Sequence, residues 1–449
     1  MRLRTGLWAL TGLLLSSNAA LAQNWSFDAR SIAIGGVGGS GNLATKMIDE
    51  QRDYRSIVLP FGLFQVFSNK NKFDPNSSEF DPVRSFEYAA SPIHFIIERD
   101  STSNSGEAAF ISDMRNATLS RDLTKYRGFL PANDLLGEGL AAPNLGGTFK
   151  VQKSARSGFQ GIYVGAGPYL SMHAAGHIDQ GLTNVLSSGV NVPNGQFPIT
   201  NADEAQLALA VTGGYRGRFA WPTGVGSGSD REGLYVAANY NYLRGFEYQN
   251  IDMTIRLDTD TAGLITLKPV TTPIVINRAE ATAGQGFALD FGVGMVIDRW
   301  ELGFGANGVA NRIDWTGVKQ TRYSLDSLTS GNSNFNETTP VAVGDRRVEL
   351  PVDYRGSLGY YAEQWSAAAE FGQGFGGSSF HGGYERRVGR VELRGGARYT
   401  TKKWNPTGGI GFDVSRRVSL DVAAYGTNAN IERKRQTAVA FSIRFNHFK

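Results

Sequence analysis

The chain has 449 residues, a formal net charge of +4, 56 glycines and no cysteine. Its basic and acidic residues are scattered rather than blocked, which argues against a nucleic-acid footprint, and no second apolar run of helical spanning length follows the first, which excludes a helical membrane bundle. The mean hydropathy of −0.25 looks soluble, but a membrane β-barrel shares that value because only alternate residues of its strands face lipid.

At the N-terminus, Arg2 and Arg4 precede an apolar stretch from Gly6 to Leu15 and the small-residue motif Ala20-Leu21-Ala22. This is the pattern of a secretory signal, residues 1–22, whose apolar core falls short of the roughly 20 residues a spanning helix needs. No cysteine follows the cleavage motif, so a lipoprotein anchor is excluded. The absence of cysteine fits an exported chain stabilised without disulfides.

Residues 23–90 are expected to form an N-terminal hatch or plug, and residues 91–449 the barrel. Gly36-Val-Gly-Gly-Ser-Gly41 matches the letters of the dinucleotide fingerprint, with a helix predicted from Leu43 to Arg52. Neither the βαβ unit nor the acidic residue about 20 positions on is present, so the match reads as a close-packed turn in the hatch. The apolar run Ile57 to Phe67 reads either as a plug strand or as a wall strand, with Phe61, Phe64 and Phe67 lining a pocket or packing the wall.

Downstream, a two-residue alternation recurs in segment after segment. Phe287, Leu289, Phe291, Val293, Met295 and Ile297 alternate with Ala288, Asp290, Gly292, Gly294 and Val296, and Thr437, Val439, Phe441, Ile443 and Phe445 with Ala438, Ala440, Ser442 and Arg444. Fourteen strand cores follow: 91–99, 147–154, 160–171, 205–220, 232–243, 286–298, 300–311, 347–360, 365–373, 379–388, 391–400, 406–414, 418–425 and 436–445. Short joins at 155–159, 298–299, 361–364 and 388–391 alternate with long ones at 100–146, 172–204, 244–285 and 325–346. That parity suits a membrane-spanning antiparallel β-barrel with short periplasmic turns and long outer loops. Trp300, Tyr360, Trp365, Tyr384 and Tyr399 near strand ends suit interfacial girdles. Residues 251–277 read as a hairpin standing above the membrane.

Candidate chemistry is sparse. His173 and His177 have helical metal-ligand spacing but lack carboxylate or thiol company, and read as an exposed loop pair. Ser378, Ser379, His381 and Glu385 could suggest a hydrolase, yet no lipase motif accompanies them, and lumen hydrogen bonding is the preferred reading. No catalytic residue, metal site or cofactor is expected. The alternation sends Arg216, Arg218, Arg347, Arg355, Arg387, Arg394, Arg398 and Arg444 to one inner face with Asp290, Glu301, Glu349, Asp353, Glu385 and Glu392. They read first as a paired network holding lumen and hatch in register, and second as a basic strip for the head of an amphiphile. On the second reading Arg216, Arg218, Arg355, Arg394 and Arg398, with Phe61, Phe64 and Phe67, are the candidate solute-binding set.

The stretch Phe27 to Gly39, reading Phe-Asp-Ala-Arg-Ser-Ile-Ala-Ile-Gly-Gly-Val-Gly-Gly, resembles the Ala-Arg-x-x-x-Met-Gly-Gly-Ala opening of the long-chain fatty-acid transporter (FadL-like) superfamily of outer-membrane proteins. The segments Gly383 to Arg387, Val391 to Tyr399, Gly408 to Phe412, Val418 to Tyr425 and the closing strand are similar to that superfamily's C-terminal succession. An Asn-Pro-Ala hatch element is absent, Gly41-Asn-Leu-Ala44 being the nearest text, and Asn446 to Lys449 extend past the usual terminal Phe. The resemblance implies a fourteen-strand barrel of the bacterial outer membrane with an N-terminal hatch, passing small hydrophobic or amphiphilic solutes without direct energy input. Its expected partners are outer-membrane lipid, the solute, and the barrel-assembly machinery through the C-terminal strand. The alternative class is a non-transporting structural or interaction barrel of a surface or secretion assembly.

Overall fold

The computed structural model describes residues 28–37, 42–49, 54–69, 71, 94–97, 105–129, 131, 133–141, 145–154, 158–266, 272–374, 377–400, 403–427 and 435–446. The export signal expected at residues 1–22 lies outside them.

Two short helices begin the described chain. Asp28 caps α1 (Ala29–Ala33) by accepting from the Ser31 amide at 2.7 Å, and Asn42 caps α2 (Leu43–Asp49) by accepting from the amides of Ala44 and Thr45. Such caps satisfy helix-end amides that would otherwise be orphaned inside a protein.

Among the described residues, twenty strands join in one antiparallel sheet. The first wall strand is built from two pieces, β1 (Tyr54–Leu59) and β2 (Phe95–Ile97), which pair with successive stretches of the last strand, β20 (Gln436–Asn446). The second is β3 (Asp134–Ala141) continued by β4 (Leu145–Ser154), both paired with β5 (Gly158–Ile178). Next come β6 (Gln196–Phe219) and β7 (Gly233–Asp258). After them β8 (Ile274–Ala281) runs into β9 (Ala283–Ile297), β10 (Trp300–Asn307) into β11 (Asn311–Leu325), and β12 (Asn336–Glu337) and β13 (Val341–Val348) into β14 (Asp353–Tyr361). The shorter β15 (Trp365–Gly374), β16 (Gly377–Val388), β17 (Val391–Thr400), β18 (Lys403–Asp413) and β19 (Val418–Thr427) lead to β20. Joined end to end, the pieces make the fourteen wall strands expected, and the last strand returns to the first.

The first wall strand corrects the expected hatch boundary. Residues 54–59 belong to the wall, in register with β20 from Tyr54 opposite Asn446 to Leu59 opposite Phe441. The chain then leaves the sheet as α3 (Phe61–Ser68). Gln65 Nε2 donates to the Ile96 carbonyl at 2.6 Å, and the Ile96 amide donates to Gln65 Oε1 at 2.8 Å. One amide side chain thus satisfies the strand-edge groups that a neighbouring strand would otherwise take. Phe61 stands edge-on to Phe441 with centroids 4.9 Å apart, and Phe441 lies on the outer face, since its neighbour Ser442 accepts from the α1 amide of Ala29 inside the barrel. Phe64 and Phe67 are 67% and 71% exposed. These three phenylalanines therefore face lipid, and the expectation that they line a lumen pocket is corrected.

Alternation places apolar side chains outward in the lower wall. Val211, Tyr240, Phe291, Val293, Phe304 and Ile410 are exposed, whereas Thr212, Asn241, Arg355 and Arg394 are buried within. A ladder of aromatics runs across the wall beside the short turns: Trp300 to Tyr360 at 4.8 Å, Tyr360 to Trp365 at 5.0 Å, and Trp365 to Tyr384 at 5.9 Å. This is the girdle expected at a membrane interface.

β7, with 26 residues, is more than twice the roughly 9–11 needed to cross a bilayer. Its upper part reverses the pattern. Ile251, Met253, Ile255 and Leu257 are buried while Asp252 and Thr254 are exposed, whereas lower down Tyr240, Tyr242 and Phe246 point out. In β6 the apolar residues keep odd positions throughout, so buried Phe197 and Ile199 share one sheet face with exposed Leu207, Leu209 and Val211, and β7 follows it through one bulge opposite Leu207 and Ala208. Towards the top the apolar sheet face is covered by protein instead of being exposed, which keeps it out of water. The upper strands thus form a tower. Their apolar face is packed by α4 (Ser105–Arg115), the 3-10 turn Leu123–Tyr126 and α5 (Gln180–Ser188) through Phe110, Tyr126, Leu182, Phe197, Ile255 and Ile276.

The tower accounts for most of the expected long loops. Much of 100–146, 172–204, 244–285 and 325–346 is strand or helix, because the ladder continues past the membrane. The hairpin anticipated within 251–277 is the upper part of β7 and β8. His173 and His177 lie in β5 rather than in a loop.

At the join of tower and barrel, Asp203 is half-buried, with Asn201 Nδ2 2.5 Å away and His173 and Asp252 close enough to act on its charge. Burial pushes its carboxyl up from the usual 3.8 to about 7, with the Asn201 hydrogen bond opposing. A group whose folded value is raised stabilises the fold fully below its unfolded value, and that contribution is lost as pH rises through the folded value. Corrected amide exchange in the tower should therefore be slower at pH 5 than at pH 8, and Asp203→Asn should remove the difference. An unchanged pH dependence in the variant would refute the assignment. The lipid boundary has its own test. Val293→Arg, in the outward belt, should cost about 2–4 kcal/mol of stability in bilayers, while Thr254→Arg, outward on the tower, should cost less than about 0.5 kcal/mol. Equal costs would move the boundary.

Candidate functional site: the lumen and its hatch

The hatch helices touch the wall where side chains are missing from it. A β-carbon on Gly292 would lie 2.7 Å from the α2 amide of Ala44, and one on Gly409 would lie 2.6 Å from the Ala33 methyl. Helix backbone rests directly on strand backbone there, which explains part of the unusual glycine content. Thr407 Oγ1 donates to the Ala33 carbonyl at 3.0 Å, and His381 Nδ1 donates to the Gly35 carbonyl at 2.8 Å. Gly35 and Gly36 have φ near +88° and +83°, the left-handed turn that lets the chain double back after α1.

Beside α1, four arginines and four carboxylates interlock. Arg394, fully buried, donates from Nε to Glu385 at 2.6 Å, from Nη1 to Asp421 at 2.7 Å, and to Glu392. Arg444 reaches Glu392 at 2.5 Å and Asp421 at 3.3 Å. Arg387 joins Glu392 at 2.9 Å and Asp413 at 3.1 Å. Arg30, from α1, closes a two-toothed pair on Glu385 at 2.7 and 2.8 Å. Apart from Arg387, which is exposed at the rim, each charge is buried or half-buried and faces an opposite one, which is the condition for keeping charge out of water.

The other candidate arginines also point inward but do not gather into one strip. Arg216 stacks over Tyr163 at 4.4 Å and donates to the carbonyls of Tyr215 and Ala238. Arg218 donates to the Glu232 carbonyl at 3.4 Å beside the β6–β7 turn. Arg355 pairs with Asp353 at 2.9 Å. Arg398 covers Tyr425 at 4.5 Å and donates to the Gly426 carbonyl, while Tyr425 hydroxyl and His94 Nδ1 are 2.7 Å apart. Arg347 departs from the expected inner ladder. It is exposed on the tower and paired with Asp314 at 2.7 Å, and Arg346 is the residue that turns inward to Tyr248 and Asn250. The break between β13 and β14 shifts the alternation there.

The alternative chemistries take other forms. Glu385 is engaged by Arg30 and Arg394 rather than by His381, Ser379 lies 3.4 Å from Arg355 Nη1, and Ser378 donates to Gln373. His177 pairs with Asp134 at 2.8 Å on the surface. Among the described residues no group of three or more His, Cys, Asp or Glu could hold a metal ion.

Two spaces adjoin the hatch. A cavity of about 210 Å³ lies between α1, α2 and the wall strands β10, β14 and β15, bordered by Arg30, Ser31, Ile34, Thr45, Ser357 and Tyr361. A charged vestibule of about 460 Å³ opens at the turn end, bordered by Arg30, Tyr361, Trp365, Arg387 and Arg444. Arg30 and Tyr361 are common to both. Sequence reading missed Asn42, Thr45 and Ser357, whose only legible signal was the Asn-Leu-Ala-Thr cap of the predicted helix.

No protein-family model and no curated protein matches the sequence. Among solved structures, the chain is similar to the toluene transporter TbuX of Ralstonia pickettii, with 14% identity over 76% of this chain and 94% of that one and a TM-score of 0.31. It is also similar to the toluene transporter TodX of Pseudomonas putida (13% identity, 70% and 88% coverage, TM-score 0.28) and to a triple mutant of the Rhodopseudomonas blastica porin (9%, 64% and 99%, TM-score 0.20). The barrel architecture of this chain stands on its own strand pairing and its lipid-facing belt.

Proposed function

We propose that the chain is a passive transport barrel of the bacterial outer membrane, taking up small hydrophobic or amphiphilic solutes past its N-terminal hatch. One observation carries this reading: the cavity under the hatch and the vestibule at the turn end are bordered by the same two side chains, Arg30 and Tyr361. Arg30 sits on α1 and is held by Glu385, so a small displacement of α1 would join the two spaces. A barrel that served only as a scaffold would gain nothing from a divided lumen. The tower supports the second reading, an interaction barrel, because its helices pack into a hydrophobic core of their own and enlarge the surface above the membrane.

Flux measurements separate the two. In proteoliposomes the mature protein should pass a small neutral amphiphile faster than protein-free vesicles do, and Arg30→Ala should raise that flux several-fold. The chain has no native cysteine, so Ala44→Cys with Gly294→Cys, where a β-carbon would meet that of Ala44 at 3.1 Å, should lock α2 to the wall. Flux should fall about tenfold on oxidation and recover on reduction. Flux no greater than that of empty vesicles would remove the transport reading.

A further inference from the structure

We infer that the outer wall over β14, β15 and β16 binds one anionic phospholipid of the periplasmic leaflet, with its phosphate at Arg386 and one acyl chain in a groove opened by Gly356. The inference goes beyond transport and takes from that reading only the placement of the short turns on the periplasmic side.

The head end starts from Arg386. Its neighbours Glu385 and Arg387 turn inward to Arg30 and Glu392, so alternation sends Arg386 outward. There it is exposed, opposite Trp365 on one adjoining strand and Leu393 on the other. Trp365 belongs to the aromatic girdle, and Val388, nearer the turn, is exposed as well. A charge among lipid-facing side chains is costly unless it reaches the interface and meets a counter-charge there. None of the described residues supplies one. Asp413 is taken by Arg387, Glu363 lies beside Arg299, and neither Arg386 nor Arg390, exposed on the following turn, forms an ion pair among the described residues.

The tail end is a groove of about 540 Å³ with an almost wholly apolar lining, bordered by Val293, Leu302, Phe304, Leu358, Phe371 and Phe380. Its volume is that of a small-ligand site, but it opens on the lipid face. The groove exists because Gly356 stands in the outer row between Phe304 and Phe371, where an added β-carbon would meet no atom within 4 Å. Phe380 on its border and Arg386 share β16 and are roughly 20 Å apart along it. With a strand tilt of about 40°, that is about 15 Å of membrane depth, half the hydrocarbon core. A phosphate at Arg386 and the end of its acyl chain in the groove are therefore separated by one leaflet.

Charge sets the class of head. Solvation at the interface would serve a lone arginine; two uncompensated arginines one leaflet away from an apolar groove fit a lipid whose head carries net negative charge. Phosphatidylglycerol meets that condition, whereas the ammonium of phosphatidylcholine would be repelled.

The test uses the mature chain, delipidated in detergent, and measures retained lipid by native mass spectrometry with phosphatidylglycerol and phosphatidylcholine of matched long chains. One phosphatidylglycerol should be held about tenfold more tightly than phosphatidylcholine. Arg386→Gln should bring that preference below about threefold, and Arg386→Lys should keep most of it. Arg244→Gln, exposed at the opposite end of the belt, should leave it unchanged. Gly356→Leu should weaken retention of the long-chain lipid several-fold without altering the head preference. Equal retention of the two lipids, a preference that survives Arg386→Gln or falls as far in Arg244→Gln, or retention unaltered in Gly356→Leu would overturn the inference. A lipid-free dimer closing over the groove would also overturn it. Preference for phosphatidylglycerol without any flux in proteoliposomes would uphold it and remove only the transport reading.

Discussion

The medium outside the wall governs this structure. A strand offers two faces, and where lipid lies outside, apolar side chains belong there and polar ones turn to the lumen. In the upper part protein, not lipid, keeps the apolar face dry. The long strands β5, β6 and β7 pass through both regimes without leaving the sheet. β6 keeps its apolar side chains on one sheet face, exposed at Leu207, Leu209 and Val211 and buried at Phe197 and Ile199, and β7, paired with it through one bulge at Phe246, passes from exposed Tyr240, Tyr242 and Phe246 to buried Ile251, Met253 and Ile255. The tower follows from that continuity: an apolar face that no longer meets lipid needs cover, and helices α4 and α5 pack there as they would in a soluble domain.

Below the boundary the lumen has the opposite problem. Its inner face is polar, and the hatch must be held against it without a hydrophobic driving force comparable to that of the tower. Close backbone approach at glycine and a closed charge network provide the hold. Breaking one partner of such a network leaves an uncompensated buried charge, typically costing about 3–5 kcal/mol. Arg30 is the single member of the network carried by α1. It thus both ties the helix to the wall and borders the two spaces around it.

The seam between the first and last strands uses a third device. Splitting the first wall strand into β1 and β2 leaves an edge that Gln65 satisfies from α3, and the phenylalanines of that helix become part of the lipid-facing belt. A run with eight apolar side chains from Ile57 to Phe67 therefore needs neither a pocket nor a plug to account for it.

Much was legible in the residues alone. Alternation of period two and the spacing of turns pointed to an antiparallel membrane barrel of about fourteen strands, because solvent contrast imprints itself directly on side-chain order. The inward placement of Arg216, Arg218, Arg355, Arg394 and Arg398 followed from the same parity. What the residues could not show was anything that depends on absolute direction or on distance across the lumen. Parity does not tell a face covered by lipid from one covered by helices, so the long segments read as loops, and the break between β13 and β14 gave Arg347 the face that Arg346 occupies. Helix and strand compete equally for a short apolar run, which left Phe61, Phe64 and Phe67 unplaced. Only tertiary structure brought Arg30 to Glu385 across 355 positions, and Asn42, Thr45 and Ser357 to one point above Gly303. Such convergence arises from barrel closure around the hatch, which no local pattern encodes.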